Sequence, residues 1–364
     1  MSDAEVWTSK RYTPQDTAGC LDLMRRLAPE DESASEEFFD WLFQRGPGGA
    51  AISVVARENA GGRIIGQATT IPIGLRIAGK PITAGLALNP LIDQQYEGRG
   101  VALDLLRRLD AIAADERIAF SYAFPDTSTL PVIAKQGGFT EVASLSLMIR
   151  PLKPERMAMK STGSRAIARS ASIARMVWRT PQPAAHQAGL PGLEMDEVTE
   201  FDEPFTVFWH RVQNRAPIIV VRDQAYLNWR FLRLPGREYR VFAARSEGKV
   251  RAFIVLRAAS LGRFTAGLIV DLIHEPTGEG RAAARLLIDH AGALFADQDL
   301  DLLGALVLRH TDEYRLFRAG GFWLTPKFLE PHPLHFVMRS HADEANAAYA
   351  MRNWFLTLGD SLVG

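Results

Sequence analysis

Residues 92–106 read IDQQYEGRGVALDLL: a short apolar lead-in, the turn Gly98-Arg99-Gly100, and then the apolar spacing of a helix. A glycine turn that feeds a helix aims several free backbone N–H groups at one point, and the helix dipole adds positive potential there. That is the chemistry of a pyrophosphate cradle. Two glycines that merely let the helix pack close to a sheet would read the same way, so the residues alone leave both readings open. Two nucleotide motifs fail outright. Leu103 stands where a dinucleotide fingerprint needs its third glycine, and no Gly-Lys-Ser/Thr is present for a Walker loop.

The other polar candidates lie near strand ends. In the first half they are Asn89, Asp93, Tyr122 and Asp126; in the second they are Asp271, His274 and Glu275. Each also reads as an ordinary turn or strand-end residue. Asp271 and His274 are three apart, so an extended strand would send them to opposite faces. His274-Glu275 lacks a second histidine four residues on, and His332 with His335 lacks a partner at motif spacing, so no metal is expected. No Gly-x-Ser-x-Gly elbow occurs, and Cys20 falls on an amphipathic stretch where a buried thiol is expected. Trp41 and Trp229 read as core anchors.

The elements that must hold these residues follow from periodicity. Trp7 to Tyr12 reads as a strand, and Thr13-Pro14-Gln15-Asp16 as a helix start. Ser33 with Glu36 suggests a capping box for a second helix ending near Phe43. A hairpin spans 51–56 and 63–72, and a meander continues to Ile92. Val101, Leu105, Leu106, Leu109, Ile112 and Ala113 share one helical face. Ile118 to Phe124 is a strand, a short helix runs to Lys135, and a last strand begins at Phe139. The second half repeats this order less clearly.

Short segments recur in order at a nearly constant offset. Asp40-Trp41-Leu42-Phe43-Gln44-Arg45-Gly46-Pro47-Gly48 is matched by Asn228-Trp229-Arg230-Phe231-Leu232-Arg233-Leu234-Pro235-Gly236. Gly98-Arg99-Gly100 is matched by Gly278-Glu279-Gly280, and Gly137-Gly138-Phe139 by Gly320-Gly321-Phe322. Together they imply one unit used twice. Between the units, residues 151–180 hold seven Lys or Arg against one acid, Glu155, and a Pro- and Gly-bearing run follows. The expected organisation is therefore a first domain over 1–150, a linker over 151–195, a second domain over 196–340 and a docking segment over 341–364.

The stretch Gln95-Tyr96-Glu97-Gly98-Arg99-Gly100-Val101-Ala102 resembles the CoA-pyrophosphate turn of the GNAT superfamily of acyl-CoA-dependent N-acyltransferases. Gly100 and Ala102 take its small-residue positions, and Glu97 departs from the usual Gln or Arg. Phe124-Pro125-Asp126-Thr127-Ser128 and Lys135-Gln136-Gly137-Gly138-Phe139 are similar to that superfamily's fifth-strand end and following corner. The resemblance implies an α/β (α+β) fold with two GNAT-like domains, each a mixed, mostly antiparallel sheet flanked by helices. It implies acetyl-CoA or another acyl-CoA as co-substrate, held by Ile92, Glu97, Gly98, Arg99, Gly100, Val101, Ala102 and Thr127. The family's acidic tyrosine is replaced by Ala134 in the first half and Phe317 in the second, which leaves Tyr122 and Asp126 as the expected catalytic pair.

Composition sets the outer bounds. The chain has 364 residues, 47% hydrophobic and 23% charged, ordinary proportions for globular domains. Lys and Arg equal Asp and Glu at 42 each, so no global field draws in DNA or an anionic membrane. One cysteine excludes an internal disulfide framework, and the start MSDAEVWTSK lacks a signal region, so a soluble cytoplasmic protein is expected. The expected acceptor is a small-molecule or carrier-bound amine. Two rivals remain: transfer from aminoacyl-tRNA or an acyl carrier, supported by the basic linker, and a non-catalytic CoA sensor or scaffold, supported by the missing tyrosines.

Overall fold

The computed structural model describes residues 6–29, 34–163, 192–325 and 334–362. Ser33, His332 and most of the basic linker lie outside these residues. The second helix starts instead on Ser35, whose Oγ accepts from the Phe38 amide at 3.2 Å.

In chain order the first half forms β1 (Trp7–Arg11), α1 (Thr17–Leu27), α2 (Glu36–Gln44), β2 (Ile52–Glu58), β3 (Ile64–Ile77), β4 (Lys80–Ala87), β5 (Leu91–Ile92), α3 (Val101–Asp115), β6 (Phe120–Ala123), α4 (Leu130–Gly137) and β7 (Thr140–Leu145). Strand β8 (Leu147–Pro151) and helix α5 (Pro154–Thr162) follow. The second half forms β9 (Leu193–Glu197), α6 (Glu203–Val212), β10 (Ile218–Val220) and α7 (Gln224–Leu227), which widens into a π turn over Asn228–Leu232. Then come β11 (Arg240–Ser246), β12 (Lys249–Leu261), β13 (Phe264–His274), α8 (Gly278–Asp297), β14 (Leu302–Leu306), α9 (Asp312–Ala319), β15 (Trp323–Leu324), β16 (Leu334–Ser340) and β17 (Trp354–Phe355). No helix among the described residues is long and apolar enough to cross a membrane.

The strands make two mixed sheets, and neither is closed by its own half. One runs β1-β2-β3-β4-β6-β16-β7, the other β15-β8-β14-β13-β12-β11-β9. Strand β16 comes from the second half yet sits between β6 and β7, while β8 leaves the first half to lie between β14 and β15. A boundary at residue 150 therefore follows the sequence and not the sheets. Each exchanged strand carries an arginine that closes the other half's glycine corner: Arg339 Nη1 donates to the Gly137 carbonyl at 2.5 Å, and Arg150 Nη1 to the Gly320 carbonyl at 3.1 Å. Two buried C=O groups at helix ends are satisfied this way.

The repeated tryptophans also meet. Trp41 and Trp229 stack with ring centroids 4.7 Å apart, and each indole N–H donates to the other's backbone carbonyl, at 2.8 and 3.2 Å. Helices α3 and α8 cover the outer faces of the two sheets, whereas the inner faces share one apolar core.

The C-terminal segment enters that shared core. Strand β17 pairs in parallel with β10, which pairs with β3 of the first sheet. Trp354 packs its ring against Phe120, Tyr122 and Phe336. Behind it, buried Arg222 donates to Asp271 at 2.8 Å and to Asp360 at 2.9 Å, tying the segment to β13. Burial alone would lower the Arg222 pKa, but the two carboxylates outweigh it and hold the guanidinium charged. Arg222→Met would leave both carboxylates buried without their cation. We expect a loss of about 3–5 kcal/mol, read from urea unfolding.

Candidate functional site

At the turn before α3, Gly98 has φ 71° and Gly100 φ 88°, left-handed values that favour glycine, and a Cβ on either would meet open space. Gly100 is the helix N-cap and offers no side-chain acceptor. The first-turn amides of Val101, Ala102 and Leu103 thus have no intrahelical partner and point outward. Glu97, Gly98, Arg99 and Gly100 are all exposed, so the Glu97 carboxylate can stay in solvent. The Arg99 guanidinium lies 5.5 Å from the Tyr96 ring centroid. Val101 is buried and anchors the turn, whereas Ala102 is half-buried.

Ile92 pairs with Gly66 at the rim of the sheet. Asp93 accepts from the Gln95 amide at 3.1 Å, lies 3.3 Å from Arg63 and pairs with Arg26. It is a fixture of the turn, not a free base.

Beside this turn the first sheet splits. Strands β4 and β6 run parallel and pair only at Gly85 with Ser121 and Leu86 with Tyr122. Beyond them Leu88 N–H bonds to Thr69 on the far side, and Ala123 pairs with Val337 of β16. The inner edges past Leu86 and Tyr122 form a slot suited to an extended ligand with amide groups. Ala87 and Ala123, both small, face the α4 side of the slot with Ile133 and Phe139. Tyr122 and Phe124 face the inter-sheet core.

Tyr122 sits at the apex, on the last paired rung. Burial raises its phenol pKa well above the usual value, so it stays protonated. Asp126, Thr127 and exposed Asn89 lie beyond the slot's ends. The Asp126 carboxylate accepts from the Ser128 and Thr129 amides at 2.9 and 2.8 Å and from both hydroxyls. Those bonds, Ser128's foremost, lower its pKa. The geometry is a side-chain-capped turn leading into α4. Asp126→Ala should cost about 1–2 kcal/mol of stability in urea unfolding, while Asp126→Asn, which keeps an acceptor, should cost little.

The matching features of the second half are closed. Strands β13 and β14 pair from Ala266 to Ile269 and then part, with a bulge at Val270. Phe355, Leu356 and Thr357 occupy that gap and leave a cavity of ≈ 10 Å³, about one water. At the turn, Thr277 Oγ accepts from the Gly280 amide at 3.0 Å, and a Cβ on Gly280 would lie 2.1 Å from the Glu275 carbonyl. Glycine there serves close packing. Glu275 pairs with Arg211 and Arg251, and Glu279 also reaches Arg251. Asp271 faces Arg222, whereas His274 Nε2 lies 3.2 Å from Glu313, so the two diverge as the strand period requires. Among the described residues no group of His, Cys, Asp or Glu could hold a metal ion.

One further cluster was invisible in the sequence. Ser121 Oγ lies 2.9 Å from His341 Nε2, and His341 Nδ1 lies 3.2 Å from Asp110 Oδ1. The order is that of a nucleophile relay, but Ser121 is buried over Gly85 in the paired part of the sheet, where Thr70 and Ile118 crowd the same spot. With Arg339 pairing to Asp110, the cluster clasps the end of the exchanged strand β16.

No protein-family model and no curated protein sequence matches the chain. Solved structures do. A conserved Enterococcus faecalis V583 protein described as a probable N-acyltransferase superposes with TM-score 0.63 at 13% identity, over 92% of this chain and 72% of that one. A GCN5-related N-acetyltransferase from Anabaena variabilis gives 0.62 at 12%, over 92% and 73%. Saccharomyces cerevisiae N-myristoyltransferase with bound myristoyl-CoA gives 0.59 at 14%, over 92% and 79%. At such identities the likeness speaks for architecture: the chain has the fold of the GNAT-type N-acyltransferases.

Proposed function

We propose that the protein transfers an acyl group from a CoA thioester to an amine, with the donor held by the first half alone. The observation that carries this reading is the uncapped turn at Gly98 and Gly100, open to space, beside strands β4 and β6 that part after Leu86 and Tyr122. Its second-half counterpart is capped by Thr277, crowded at Gly280 and plugged by Phe355 to Thr357. The first-turn amides of Val101, Ala102 and Leu103 would hold the pyrophosphate, and the pantetheine arm would lie along the inner edges of β4 and β6. The N-terminal unit would be the donor-binding domain and the C-terminal unit its structural partner.

The chemistry then needs an amine attacking the thioester carbonyl, a tetrahedral intermediate, and departure of the CoA thiolate. The protonated Tyr122 phenol, at the slot's apex, would donate a hydrogen bond to the leaving sulfur. Asp93 and Asp126 are tied to local structure, so the amine would lose its proton to water. The missing family tyrosine at Ala134 favours the rival reading of a CoA sensor. Transfer from a carrier or aminoacyl-tRNA rested on the basic linker, most of which lies outside the described residues.

Calorimetry with CoA and acetyl-CoA should give one equivalent per chain. Gly100→Asp, which puts a side chain and a negative charge into the open turn, should lower affinity more than tenfold, about 1.4 kcal/mol or more. Two equivalents, or unchanged affinity in the folded variant, would refute the assignment. Tyr122→Phe should lower kcat about tenfold or more while CoA affinity holds, because the bond to sulfur strengthens only in the transition state. CoA binding with no acceptor-dependent CoA release across an amine panel would favour the sensor.

A further inference from the structure

The two faces of the slot are unlike. On the α4 side the slot is lined by the small side chains of Ala87 and Ala123, with Ile133 and Phe139 behind them. On the inter-sheet side, where the acyl end of a donor threading the slot must emerge, four aromatic rings meet. Tyr122 lies 5.9 Å from Phe124, Phe124 5.3 Å from Phe336, and Phe336 5.0 Å from Trp354, centroid to centroid. Trp354 returns to within 5.9 Å of Tyr122. These are contact distances for tilted and edge-on rings, and they leave no room for a methylene chain between these four rings.

The wall is also fixed. The Trp354 indole donates to the Ala348 carbonyl at 2.7 Å, its own carbonyl accepts from His310 at 2.9 Å, and β17 is held through the buried Arg222–Asp360 pair. Swinging Trp354 aside would break buried polar contacts as well as apolar ones.

We propose that Tyr122, Phe124, Phe336 and Trp354 set the acyl length and restrict the donor to a short acyl group such as acetyl or propionyl. The proposal rests on the donor site assigned above. It sets this chain apart from the yeast neighbour of the same fold, which was solved with myristoyl-CoA.

The test is a calorimetric series of CoA, acetyl-CoA, butyryl-CoA and octanoyl-CoA, the last kept below its micellar range. An open apolar pocket would tighten binding about fourfold for each added methylene. We expect octanoyl-CoA to bind no tighter than acetyl-CoA. A steady climb along the series would overturn the wall while leaving the donor site standing, whereas failure of CoA itself to bind would overturn both. Phe124→Ala, at the rim of the wall, should raise octanoyl-CoA affinity relative to acetyl-CoA at least tenfold, and Phe124→Leu should do so more weakly. A folded variant that still binds CoA but shows no such gain would also count against the proposal.

Discussion

Everything else in the molecule follows from the exchange of β8 and β16. A sheet whose gap is filled by a strand from elsewhere cannot drift away from that strand's owner, so the halves are locked at two places. The locks are hydrogen-bond ladders on both sides of each exchanged strand, reinforced by Arg150 and Arg339 on the glycine corners. Because the inner faces are thereby held together, the core between the sheets is continuous and draws on both halves. The paired tryptophans mark the local axis of that arrangement, each satisfying the other's buried carbonyl.

The exchange also explains why equivalent slots have different fates. After β16 the chain is already in the first sheet, and its remaining residues turn back between the sheets and lay Phe355 to Thr357 into the gap beside β13. The same segment cannot fill both gaps. The second turn has the features of a finished helix start, a Thr277 cap and a close Glu275 carbonyl, while the glycines of the first face open space. The two halves thus hold an open turn and a filled gap, and the filled one braces the first sheet through Trp354 and the Arg222 carboxylate pair.

What could be read from the sequence was what local chemistry dictates. The Gly98 to Ala102 turn and the stripe on α3 depend on near neighbours, and each lies where periodicity and turn propensity put it. The exchange was illegible for a physical reason. Alternation along a strand specifies which face is buried, but nothing in Leu334–Ser340 says whose edge it will pair with. Tyr122 illustrates the limit more finely. Its place on the strand was readable, but the identity of what it faces depends on Phe336 and Trp354, far away in sequence. Asp126 shows the opposite case, a polar residue near the site whose neighbours Ser128 and Thr129 already accounted for its carboxylate.

The placement of β16 has a consequence for how the chain is made. Synthesis runs from the N-terminus, so β6 and β7 must leave the ribosome long before Leu334 to Ser340 exist to join them. Until then the first sheet carries two unpaired inner edges, the kind of surface that invites wrong partners, and every native contact that seals it spans much of the chain. The nascent first half is therefore a waiting state, and a chaperone that shields strand edges would matter most to this protein during the interval between its seventh strand and its sixteenth.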